Sequence, residues 1–81
     1  MDGYVQVTVR SKEKRWKEVD IRVHVKQPWE HILGVLMENG IVKEEGALSY
    51  RSLRRQKYFP GELDSVEAGI YTGDIIEVGG C

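Results

Sequence analysis

Val19-Asp20-Ile21-Arg22-Val23-His24-Val25-Lys26-Gln27-Pro28-Trp29-Glu30-His31-Ile32-Leu33-Gly34-Val35-Leu36-Met37 contains the transition that decides the fold. Its first half alternates. Val19, Ile21, Val23 and Val25 point one way and Asp20, Arg22, His24 and Lys26 the other, the period-2 pattern of a half-buried strand. After Pro28 the spacing changes. Trp29, Ile32, Leu33, Leu36 and Met37 fall at i, i+3, i+4, i+7 and i+8, a single apolar stripe along a helix. Pro28 suits the first helical position, where no intrahelical partner awaits its missing N–H. Glu30 complements the helix dipole, and Gly40 suits a left-handed end. The helix has about three turns, enough to cross one face of a small sheet.

Upstream, Val5, Val7 and Val9 alternate with Tyr4, Gln6 and Thr8, so residues 4–25 read as an antiparallel hairpin with one wet face. The charged stretch Ser11-Lys12-Glu13-Lys14-Arg15 suits its connection. Downstream, residues 47–50 read as a strand with Leu48 and Tyr50 on one face, and residues 51–57 are mostly basic. Tyr58-Phe59 forms a short strand before a turn at Pro60-Gly61. Ser65 caps one helical turn carrying Val66, and Ile75-Ile76-Glu77-Val78 is the final strand after a turn at Gly73-Asp74. Strand, strand, helix and further strands sharing one sheet make an α+β domain. The arrangement is the β-grasp: a mixed four- to five-stranded sheet with one helix packed across it.

Composition narrows the function classes. Of 81 residues, 41% are hydrophobic, and 12 Lys and Arg stand against 13 Asp and Glu, for a net charge of −1. No whole-domain field draws nucleic acid or an anionic membrane. One cysteine permits no internal disulfide and suits a reducing cytoplasm. No secretory leader is read at the N-terminus and no apolar run approaches the roughly 20 residues of a membrane span, so neither export nor membrane insertion is expected. A monomer is expected. No Ser-His-Asp or Cys-His-Asn arrangement and no metal-ligand spacing occurs, so neither enzyme activity, metal nor cofactor is expected. His24 and His31 read as surface or partly buried side chains, and Trp29 reads as core.

The segment Ser65-Val66-Glu67-Ala68-Gly69-Ile70-Tyr71-Thr72-Gly73-Asp74-Ile75-Ile76-Glu77-Val78 carries a resemblance. Its Gly-Ile pair and then Gly-Asp leading into the last strand resemble ubiquitin-like β-grasp proteins, closest to the bacterial YukD/EsaB-like group. In this reading Val66 and Ile70 plug the edge of the core. The ending Gly79-Gly80-Cys81 resembles ubiquitin-like modifiers. Residues 1–78 are then the ubiquitin-like domain and 79–81 a tail in which Cys81 is a removable extension. A terminal carboxylate passed through narrow enzyme tunnels needs residues without a Cβ.

Two functions follow from the resemblance. The first is a bacterial protein modifier, conjugated through Gly80 after processing. Its partners are an activating enzyme, a conjugating enzyme and a tail-processing metallopeptidase. The second is a YukD/EsaB-like accessory or regulatory module of a type VII secretion system. As a free tail, Gly80 would accept Gly80→Glu without loss of folding. Arg51, Arg54 and Arg55 together with Trp16 are the candidate docking residues, an electrostatic handle for an acidic protein surface.

Overall fold

The switch from alternation to helical spacing falls where the sequence puts it. The computed structural model describes residues 3–80. In it β1 (Tyr4–Ser11) and β2 (Val19–His24) form the antiparallel hairpin, with Tyr4 opposite His24 and Val9 opposite Val19. Helix α1 (Trp29–Glu38) follows, then β3 (Leu48–Ser52), β4 (Lys57–Phe59), the single-turn α2 (Ser65–Ala68) and β5 (Ile75–Gly80). The sheet is five-stranded in the order β2-β1-β5-β3-β4. β1 and β5 run parallel at its centre and the outer pairs are antiparallel. The mixed sheet crossed by one helix is the α+β arrangement expected.

The apolar stripe of α1 covers one sheet face. Trp29, Ile32, Leu33 and Leu36 are buried with Val5, Val7, Val9, Val23, Tyr50, Ile76 and Val78. Trp29 is fully enclosed, and its Nε1–H donates to the Ser65 hydroxyl at 3.1 Å, which satisfies the one polar atom it brings inside. Pro28 is the N-cap of α1, one residue earlier than its expected place, with extended backbone and no side-chain cap. The first helical amides find tertiary partners instead. Trp29 N–H donates to the Leu63 carbonyl and Glu30 N–H to the Gly61 carbonyl, at 3.0 and 2.7 Å. At the other end Gly40 takes the left-handed conformation expected of it (φ 73°).

Three local expectations are corrected. Asp64 caps α2 through a reciprocal capping box with Glu67, and Ser65 lies inside the helix, buried against Trp29. A single turn that faces Ser65 inward turns its neighbour outward, so Val66 is exposed and Ile70 alone plugs the core edge. The last strand does not stop at Val78. It continues through Gly79 and Gly80, which pair with Ser49 and Leu48 of β3, so residues 79–80 belong to the domain and not to a tail.

Candidate functional site

Gly80 is a glycine for a packing reason. A Cβ built on it would stand 2.5 Å from the Glu45 carbonyl oxygen and 2.9 Å from Glu44 Oε1, so the 44–45 segment approaches as closely as a bare backbone permits. Gly79 is buried on the open face of the sheet, where its missing side chain leaves room for the Lys12 stem. A Cβ there would meet Lys12 Cδ at 3.2 Å and Ser49 Oγ at 3.3 Å. Both glycines expected to form a free conjugation terminus are thus held in the sheet. Cys81, the expected removable extension, lies outside the described residues.

Trp16 is held as firmly. Its Nε1–H donates to Glu44 Oε2 at 2.7 Å. Arg15 donates to Glu44 Oε1 at 3.5 Å, and the Glu44 side chain is only 2% exposed. Arg15 N–H also donates to Ser11 Oγ at 2.9 Å. The connection between β1 and β2 is thereby clamped onto the segment before β3, because a buried carboxylate requires partners on both oxygens. The rest of the Trp16 ring packs against the edge of the core and stays partly exposed beside this clamp.

The expected arginines divide between two places. Arg51 lies on the open sheet face, in a row of cross-strand neighbours that runs Arg10, Glu77, Arg51, Tyr58 across β1, β5, β3 and β4. Glu77 pairs with Arg10 at 3.1 Å and with Arg51 at 3.8 Å. Arg51 and Lys12 also lie over the exposed Tyr58 ring, at 5.8 and 5.9 Å from its centroid. Arg54 and Arg55 sit elsewhere, in the β3–β4 turn. That turn is anchored at the start of β5 by Leu53 N–H to the Ile75 carbonyl, whereas the Trp16 loop is anchored near its end by Lys12 N–H to Val78. Trp16 therefore does not share a surface with Arg54 and Arg55. The buried Asp74 carboxylate fixes the β3–β4 turn, accepting from Ser52 Oγ (2.6 Å), Arg54 N–H (3.1 Å) and Ile75 N–H (2.7 Å).

What converges instead is a cationic strip. A surface cleft of about 430 Å³ is lined by Arg10, Lys12, Lys14, Trp16, Glu18 and Glu77 among others, and Glu77 joins it to Arg51 and Tyr58. Four cations face two carboxylates along this strip. Arg10, Lys12, Tyr58 and Glu77 are not among the docking residues expected from the sequence. Their signal was present as outward positions of alternating strands, but only the strand order makes them neighbours. Among the described residues no group of three His, Cys, Asp or Glu side chains is placed to hold a metal, and no helix is long and apolar enough to cross a membrane.

Neither a family profile nor a curated protein sequence matches the chain. Solved structures do. A de novo designed protein based on ubiquitin matches with TM-score 0.72 at 17% identity, over 96% of this chain and 89% of that one. The C-terminal ubiquitin-like domain of mouse tubulin-specific chaperone e gives 0.72 at 13% identity, over 100% and 91%. The EccD5 ubiquitin-like domain from Mycobacterium xenopi gives 0.56 at 16% identity, over 93% and 91%. The fold is ubiquitin-like.

Proposed function

We propose that this chain is a non-catalytic, cytoplasmic ubiquitin-like interaction module, an accessory of the type VII secretion kind, which docks an acidic segment of a protein partner on its open sheet face. The observation that carries this reading is the strip of Arg10, Lys12, Lys14 and Arg51 around Tyr58 and Trp16, an excess of positive charge with two aromatic surfaces. Such a strip speeds encounter with an acidic segment and sets its orientation, and the partly exposed aromatics supply contact area. The likeness to the EccD5 ubiquitin-like domain supports the secretion context.

The Gly79-Gly80 pair favours a second reading, conjugation as a protein modifier. In that reading activating and conjugating enzymes and a processing metallopeptidase act on the end of β5. Two rungs of the β3–β5 ladder would have to open before Gly80 extended into an enzyme tunnel.

One experiment separates the two. The chain is expressed with its native genomic neighbours, its intact mass is measured, and a photocrosslinker is placed at position 58. Docking predicts an unadducted chain that retains Cys81 and a protein crosslink that is lost in the Arg10→Glu/Arg51→Glu variant. A Gly-Gly remnant on lysine, or removal of Cys81, would transfer the assignment to conjugation.

A further inference from the structure

Strand β2 ends the sheet, and among the described residues no strand pairs with its outer side. Which of its backbone groups face outward follows from one hydrogen bond. Val25 N–H donates to the Gly3 carbonyl, in the same register that pairs Val23 with Val5 and Ile21 with Val7. Antiparallel ladders alternate, so the N–H and C=O groups of Val19, Ile21 and Val23 point to β1. Those of Asp20, Arg22 and His24 point to the open edge.

A second copy of this edge fits only certain registers. The outward groups belong to even-numbered residues, so a symmetric antiparallel pairing must place even residues opposite even residues. An axis at Asp20 puts Asp20 opposite its own copy, and an axis at Arg22 puts two arginines together. An axis at Ile21 avoids both. It sets Asp20 opposite Arg22 twice, Val19 opposite Val23 twice, Ile21 opposite Ile21, and continues with Glu18 opposite His24.

We propose that β2 is the seam of a symmetric homodimer with its twofold axis at Ile21, a departure from the monomer expected of the sequence. The two Asp20–Arg22 pairs contribute four backbone hydrogen bonds and two ion pairs on the open face. The side chains are already set for this. The Thr8 hydroxyl donates to Asp20 at 2.6 Å, and Arg22 lies 4.6 Å from the Tyr4 ring centroid. On the helix side the half-buried Val19 and Ile21 meet β-branched partners, the cross-strand pairing that stabilises sheets. Exposed Ile41 shares a groove with Val19 at the end of this seam. The contact is small, so association is weak and concentration-dependent.

Sedimentation equilibrium of the full chain, run up to about 1 mM to reach weak constants, tests the seam. The wild type is expected to dimerise. D20R places like charge opposite Arg22, R22D places like charge opposite Asp20, and each is expected to weaken the dimer about tenfold. Mixing the two variants restores opposite charges across the axis and is expected to give a heterodimer of about wild-type affinity. Amide exchange of the wild type gives a readout that needs no variant, with Asp20 and Arg22 N–H gaining protection as concentration rises. A wild type that is monomeric throughout, single variants that dimerise as the wild type does, a mixture that stays monomeric, or concentration-independent protection at Asp20 and Arg22 would each overturn the seam.

Discussion

The backbone carbonyl of Glu45 lies so close to Gly80 that a side chain on Gly80 would need to displace it, with the oxygen 2.5 Å from an added Cβ. The contacting atom is backbone, and Glu45 is adjacent to Glu44, whose carboxylate anchors Trp16. The end of β5 and the two loops that flank it are therefore one packed unit. Gly80→Ala is expected to cost about 1–3 kcal/mol, the range for overpacking a close contact. Thermal unfolding checks this, at roughly 4–8 °C per kcal/mol for a domain of this size. A free tail, as the Gly-Gly motif suggests, would leave the melting temperature unchanged in both Gly80→Ala and Gly80→Glu.

Trp16 is partly exposed, yet among the described residues its indole N–H makes the shortest hydrogen bond to Glu44, at 2.7 Å. Trp16→Phe retains a ring over the cleft and removes that donor. Among the described residues, Glu44 Oε2 then retains the Ser11 hydroxyl at 3.5 Å. A buried acceptor deprived of its partner costs about 1–3 kcal/mol. Denaturant unfolding of Trp16→Phe is expected to show a loss in that range, where a purely partner-facing aromatic would show almost none.

The elements that were legible in the sequence are those whose cause is local. The Val19–His24 alternation and the Trp29–Met37 stripe each report a burial pattern in a single stretch of chain. Gly79 and Gly80 misled because glycine is a poor strand former by itself, and their strand state comes from β3 and the 44–45 segment, some 30 residues away. The docking strip is non-local in the same way. Arg10 and Glu77 are 67 positions apart and become neighbours only because β1 and β5 lie side by side at the sheet centre. Arg51, Arg54 and Arg55 are close in sequence, but strand β3 ends at Ser52 and the turn carries the last two away.

Gln56 occupies the left-handed region, with φ 55°, in the turn between β3 and β4. For a residue with a Cβ this conformation costs about 1–2 kcal/mol, and glycine adopts it without that penalty. Part of the gain is offset by glycine's greater freedom when unfolded. Gln56→Gly is expected to stabilise the domain by about 0.5–1 kcal/mol. A melting temperature that falls instead would mean that the Gln56 side chain contributes more to the turn than the strain removes.

Tyr50 is packed against Phe59 within the core, and burial raises its phenol pKa above the usual 10.0, with the Glu30 charge adding to the shift. The folded state therefore holds this proton to higher pH than the unfolded chain does. Up to the ordinary tyrosine pKa the linkage leaves stability unaffected. Above it the unfolded chain ionises first, so stability falls as pH rises. Tyr50→Phe removes the ionisable phenol and with it this pH dependence. Denaturant midpoints measured in an alkaline series are expected to decline more steeply for the wild type than for Tyr50→Phe. Parallel slopes would show that the Tyr50 phenol ionises as freely in the folded domain as in the unfolded chain.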